Sequence, residues 1–161
     1  MTAVATPTPV VDALLSAKPT RLRLPVLAAH PACSACDLAS AGARTVGMAS
    51  VLWARCRAGD TDTAVFVIGQ GPGATEDYEG RPFVGPSGDK LAGFYMRESV
   101  ADDYADVWCG NATRCRAPSD AKPSVGQLRA CKPYLLSDVN RLASVYRRVA
   151  ILCVGAPAHE S

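Results

Sequence analysis

Seven cysteines stand in the chain, and their spacing divides them into two kinds. Cys33 and Cys36 form a C-x2-C pair in a short loop after Pro31, and Cys115 and Cys131 form a second pair, C-x15-C. Brought together, the four thiolates make a soft donor set that suits zinc or an iron-sulfur cluster, and spacing alone does not choose between them. Cys56, Cys109 and Cys153 lack such a partner and read as small buried side chains, the last two inside apolar strands. An odd count without a secretory leader argues against a disulfide framework.

A second group of residues lies between positions 69 and 111. Gly69-Gln70-Gly71-Pro72-Gly73-Ala74 fits the G-x-G-x-x-A pattern of dinucleotide sites. That pattern also needs a helix opening on the glycines and an acidic residue roughly 20 positions on. Residues 75–80 read as loop and position 91 is Leu, so the pattern is incomplete; its glycines still let a ligand approach the backbone. Gly80-Arg81-Pro82-Phe83-Val84-Gly85 presents one aromatic in a stiff loop, either a core anchor or a stacking platform for a planar ring. Asn111, just past a strand, either shapes a turn or reads a base edge with one donor and one acceptor. Glu76 and Asp77 are the carboxylates of the first loop, read in the first instance as loop-closing or solvent-facing groups.

The elements that must position these residues follow an α/β order. Ala64-Val65-Phe66-Val67-Ile68 is an apolar run ending at Gly69, as expected of a strand buried on both faces of a parallel sheet. Residues 70–86 form a long glycine- and proline-rich loop, and loops of that length are usually functional. Ser87 caps a helix over residues 88–98 with Leu91, Phe94 and Tyr95 on one side. Residues 106–110 are a second strand and 111–123 a loop. Residues 124–142 are a helix with Leu128, Cys131, Leu135 and Leu136 facing inward, and 149–154 a third strand. Strand, helix, strand, helix, strand with apolar strands implies right-handed crossovers and a ligand site beyond the carboxyl ends of the strands. The loops beginning at Gln70, Asn111 and Gly155 then surround one site.

At 161 residues with 48% hydrophobic and 20% charged content, the chain is sized for one globular core. Residues 1–25 read as a flexible arm and 26–161 as the domain. No apolar run approaches the roughly 18 residues of a membrane span, so a soluble, cytoplasmic protein with no membrane partner is expected. The net charge of +2 neither demands nor excludes nucleic acid. Its distribution is uneven: residues 60–106 carry three basic and ten acidic groups, and residues 111–150 eight and two.

In this order and at these intervals, the pieces resemble the family 4 uracil-DNA glycosylases, the iron-sulfur branch of that superfamily. The family carries an early C-x2-C pair, a strand into G-E-[AG]-P-G-x-x-E-D, then G-R-P-F-V-G, T-N-x-x-K-C-R-P-P, a cysteine in the next helix and a strand ending L-G-A-x-A. Here the corresponding residues are 69–77, 80–85, 110–118, Cys131 and 154–158, and the likeness covers about residues 31–158.

The resemblance implies a three-layer α/β/α sandwich with a mostly parallel central sheet, and a [4Fe-4S] cluster on Cys33, Cys36, Cys115 and Cys131, with zinc as the alternative. It implies that Phe83 stacks on an extruded uracil, that Asn111 reads its polar edge, and that the backbone at Gln70 and Gly71 helps bind it. The implied partner is uracil-containing DNA, single- or double-stranded, with Arg114, Arg116, Lys122 and Lys132 near phosphate. Catalytic candidates are Gln70, Glu76 and Asp77. Gln70 replaces the family's Glu, and an amide positions water but does not take its proton at neutral pH. The family continues to a His-Pro-Ser loop, whereas this sequence stops at Ser161, and His159 does not match that loop. The expectation is therefore a truncated or divergent glycosylase of weakened activity, acting as a monomer unless a second chain completes it. The alternatives are a non-catalytic iron-sulfur DNA-binding module and a nucleotide-binding domain using the glycine loop.

Overall fold

The computed structural model of the chain describes residues 22–23, 33–40, 43, 45–52, 63–97 and 106–155. Three apolar runs form the parallel part of the sheet: β3 (Thr63–Gly69), β4 (Asp106–Asn111) and β5 (Arg148–Cys153). β3 lies between β4 and β5 and is parallel to both. Two short strands extend the sheet beyond β4: β2 (Ala49–Leu52) pairs antiparallel with β4, and β1 (Leu22–Arg23) antiparallel with β2. The five-stranded order is β1-β2-β4-β3-β5, so the sheet is parallel at its centre and mixed at one side. β1 falls inside the stretch expected to be an arm.

Alternation along β3 builds two cores, one on each face. Phe66 and Ile68 join Met48, Trp108, Leu135 and Leu142 beneath α4 (Val125–Val145). Val67 joins Val107 and Cys109 on the other face, where Leu91 of α3 (Pro86–Arg97) and Phe83 pack against them. Helix, sheet and helix make the three layers that the family resemblance implies. Trp108 Nε1 donates to the Tyr146 hydroxyl at 3.1 Å, fastening the end of α4 to β4.

α4 starts where its sequence says it should. Ser124 accepts from the Gln127 N–H at 3.2 Å while Gln127 Oε1 accepts from the Ser124 N–H at 2.8 Å, a reciprocal capping box. Its buried stripe is Leu128, Cys131, Leu135, Asp138 and Leu142; Leu136, expected on that stripe, is 51% exposed. α3 begins at Pro86, a position whose missing N–H costs a helix nothing. The Phe94 and Tyr95 side chains lie outside the described residues. Two further short helices are α1 (Asp37–Ser40), next to Cys36, and α2 (Ala74–Glu79). α2 corrects the expectation of continuous loop over 75–80: a helix does open on the glycines, with Gly73 as its N-cap and acidic residues in its first turn, where they oppose the backbone dipole.

β5 is the opposite sheet edge. It was expected to be buried, yet Ile151, Leu152 and Val154 are 51%, 39% and 41% exposed, and Cys153 is exposed as well. An edge strand has one neighbour, and among the described residues no helix covers its outer side. No helix of the described residues is long and apolar enough to cross a membrane.

Candidate functional site

The cleft forms where β3 and β4 end together. Gly69 and Asn111 are register partners, and the chain is stitched just beyond them: the Ala112 N–H donates to the Gly69 carbonyl at 2.8 Å and the Thr113 N–H to the Gln70 carbonyl at 3.1 Å. The open cleft above this junction has a volume of about 600 Å³ and is lined by Gln70, Gly71, Glu76, Phe83, Asn111 and Asp120 among others. Parallel strands aim the following loops at one point, as expected of α/β sheets.

Gly69 is bare because two side chains occupy the place of its missing Cβ. An atom there would stand 2.6 Å from Asn111 Oδ1 and 2.8 Å from Phe83 Cζ. Asn111 is buried, and the Phe83 ring packs on the Val67, Val107 and Cys109 cluster while also lining the cleft. The ring thus meets the anchor reading, and its place in the cleft wall puts it where a planar ligand would have to lie. Its backbone is in the left-handed region at φ 54°, a conformation that costs a non-glycine residue about 1–3 kcal/mol and persists only under constraint. Part of the constraint is α3, since a Cβ at Gly88 would run into the Phe83 carbonyl.

Glu76 adds to that constraint. Its Oε1 accepts the buried Gly85 N–H at 2.8 Å, so the carboxylate of α2 closes the loop that carries Phe83. Glu76 is buried and lines the cleft; Asp77 does not line it, and its backbone N–H returns to the Gly73 carbonyl at 2.9 Å. Of the three catalytic candidates, Gln70 and Glu76 therefore share the cleft.

A second, smaller cavity is lined by Cys33, Cys36, Cys115 and Cys131 together with Thr45, Arg114, Tyr134 and Leu38. The pairs that sequence spacing suggested are brought to one place from three segments. Among the described residues no group of three or more His, Cys, Asp or Glu is arranged to hold a metal ion as it stands. The donor set nevertheless fits a thiolate-held cofactor, being four sulfurs around one small space with Cys115 and Cys131 buried. Burial pushes both of those thiols above the ordinary value of 9.0, with the neighbouring cysteines adding to the rise. Against it act the Thr45 hydroxyl at Cys115 and the backbone of Arg114 at Cys131. Gln127 Nε2 donates to Asp37 Oδ1 at 3.0 Å, tying the segment of Cys33 and Cys36 to the helix of Cys131. Cys109 is buried as expected, and Cys56 lies outside the described residues.

The basic positions separate. Lys122 and Lys132 are exposed, and Arg116 is paired with Asp120 at 2.7 Å on the cleft rim. Arg114 turns the other way: it is 2% exposed and forms an ion pair with Asp138, so its guanidinium is not available to phosphate. The expectation for Arg114 is corrected on that ground.

Comparison with known proteins accords with this architecture. The family model described as the Uracil DNA glycosylase superfamily matches residues 56–161, more than half of the chain. The chain belongs to that superfamily. It is similar to the Type-4 uracil-DNA glycosylase of Pyrobaculum aerophilum, 37% identical over 52% of this chain and 42% of the relative. The relative of the same name from Saccharolobus solfataricus is 34% identical over 52% and 38%, and that from Thermotoga maritima 32% over 62% and 49%. The matches thus span about two fifths to one half of those relatives.

Within this uracil DNA glycosylase superfamily member, Glu76 takes the loop-closing role read from the sequence, as the clasp of the Phe83 loop. Sequence reasoning missed two participants: Thr113 lies fully buried beside Gln70 with its hydroxyl donating to the Gln70 carbonyl at 3.4 Å, and Asp138 is the buried partner of Arg114. Only Asp138 left a legible signal, an acid within the apolar stripe of α4, where an ionised side chain demands a cation.

Proposed function

We propose that this protein removes uracil from DNA by hydrolysing the bond between the base and deoxyribose, with the base extruded into the cleft beyond β3 and β4. The observation that carries the reading is the convergence of the Phe83 ring and the Asn111 amide over Gly69, an apolar face and a two-way hydrogen-bonding edge at one point. A flat pyrimidine has both needs. Asn111 offers one donor and one acceptor to its edge, and the backbone at Gln70 and Gly71 borders the same space. Extrusion costs a few kcal/mol of stacking and pairing, least in single strands.

As the bond breaks, negative charge gathers on uracil and positive charge on the sugar. Water adds to the sugar carbon, the electrons of the broken bond leave with uracil, and the water's proton passes to solvent or to the departing base. The Gln70 amide can orient that water without accepting its proton, and Glu76 places a carboxylate in the cleft wall. Cys33, Cys36, Cys115 and Cys131 are the residues that would hold a [4Fe-4S] cluster, which the four-sulfur donor set suits as it does zinc and which the resemblance to the iron-sulfur branch of the superfamily favours. Such a cluster would cross-link the Cys33–Cys36 segment to the loop after β4 and to α4. Lys122 and Lys132, both exposed on the basic segment, would meet DNA phosphates.

The test is release of free uracil from a single-stranded uracil oligonucleotide, with release expected and Phe83→Ala abolishing it. Tight binding without release at enzyme excess would instead support a non-catalytic DNA-binding module, or a unit completed by a second polypeptide. The exposed apolar edge of β5 favours the latter form, since edge strands of this kind invite pairing.

A further inference from the structure

Arg114 sits at the junction of everything that builds the cysteine cavity. Its carbonyl accepts the Val46 N–H at 2.7 Å, and its Nη2 donates to the Tyr134 carbonyl at 3.3 Å and pairs with Asp138 Oδ2. The side chain is 3% exposed and that of Asp138 1%. Yet Arg114 Nε and Nη1 are buried without a hydrogen-bond partner, and Arg114 lines the cavity of the four cysteines. Buried guanidinium N–H groups are costly to leave unmade, and an unpartnered pair on a residue that lines the four-sulfur cavity points to a ligand there. Four thiolates around a doubly charged ion or cluster core leave a net negative group that such N–H donors would face.

We propose that Arg114 is a positioning residue for the thiolate-held cofactor, its Nε and Nη1 groups serving the sulfur-borne negative charge while Asp138 fixes the guanidinium from α4. The inference rests on the reading that the four cysteines hold a cofactor. Positive charge and N–H donors beside an iron-sulfur cluster stabilise its reduced, more negative form and raise its potential. Asp138 acts in the opposite sense through its own charge, two helical turns beyond Cys131.

The experiment is a dithionite titration of the anaerobically purified holoprotein, in which dithionite donates one electron per cluster, followed by the cluster's absorbance and its paramagnetic signal. Iron and acid-labile sulfide are assayed first in the unaltered protein, and their absence overturns the cofactor reading and this proposal with it. With the cluster present, Arg114→Met is expected to lower the midpoint potential and to speed iron loss to a chelator, with Arg114→Lys between it and the unaltered protein. Asp138→Asn removes a negative charge and is expected to shift the midpoint upward. Arg114→Lys and Asp138→Asn each keep a buried partner, so the comparison stands even where Arg114→Met does not fold. Equal midpoints in all folded variants, or a downward shift in both Arg114→Lys and Asp138→Asn as a purely structural role would give, overturn the proposal while leaving the cofactor reading intact.

Discussion

Phe83 and Asn111 meet over a single missing Cβ. The ring comes from the loop between α2 and α3 and the amide from the end of β4, and both close on Gly69 at the end of β3, within 2.8 Å of where a methyl would stand. Three segments are thereby locked to one α-carbon, which makes Gly69 the most economical place to test the cleft. In Gly69→Ala one of the two side chains must move. A displacement of about 1 Å of a positioning group typically lowers a rate by ~10²-fold. Uracil release is expected to fall by that order while the unfolding midpoint moves little, because the neighbours that yield face the open cleft. Unchanged release from Gly69→Ala would remove the two side chains from the reaction.

In the proposed reaction, Gln70 is the position where the site offers an amide in place of a base. Its backbone is fixed by Thr113 through two contacts, so a side-chain change there leaves the frame in place. Gln70→Glu introduces a group able to take the proton of attacking water, and a positioned general base contributes about 10²–10⁴-fold where its geometry is right. Single-turnover release from single-stranded DNA should therefore rise toward that range. A flat response would locate the deficit in groups outside the described residues.

Glu76 gives a prediction for stability and activity together. Removing its carboxylate in Glu76→Ala leaves the buried Gly85 N–H unmade, a loss of about 1–3 kcal/mol by urea unfolding. The same change frees the loop that holds Phe83 at φ 54°, so uracil release should fall with it. Glu76→Gln retains an acceptor oxygen and should recover most of the stability. If Gln loses as much as Ala, the hydrogen bond is not what closes the loop.

These residues also show where sequence reading succeeds. The runs around Phe66, Trp108 and Leu152 are apolar over a strand's length, and the Ser124–Gln127 capping box marks its helix without ambiguity, so the parallel centre and α4 are legible. α2 is not: glycines and prolines crowd residues 69–86, and only the loop closure by Glu76 reveals a helical turn among them. Leu136 and Leu135 are adjacent in sequence but 100° apart on a helix, and periodicity alone left the stripe one residue too wide. Arg114 fell among surface cations because its counter-ion, Asp138, lies 24 residues away and is joined to it only by the fold. The cysteine set was legible because sulfur is specific, whereas the fate of each charge depends on contacts that no local pattern encodes.

The thiols carry a pH prediction for the cofactor-free protein. Burial raises the Cys115 and Cys131 thiols above 9.0 in the folded chain, whereas in the unfolded chain they titrate near the ordinary value. Their contribution to stability is thus fully present below about pH 8.5 and is lost as pH rises through the unfolded and then the folded values, because the unfolded state then binds fewer protons than the native one. Urea midpoints of the apoprotein should fall as the pH rises above about 8.5, more steeply than those of the Cys115→Ser, Cys131→Ser double variant, whose hydroxyls do not titrate there. With the proposed cofactor bound, its thiolate ligands would already be deprotonated, so this source of slope should vanish. Parallel slopes for the apoprotein and the double variant would mean that the two sulfurs are not buried as the cavity requires.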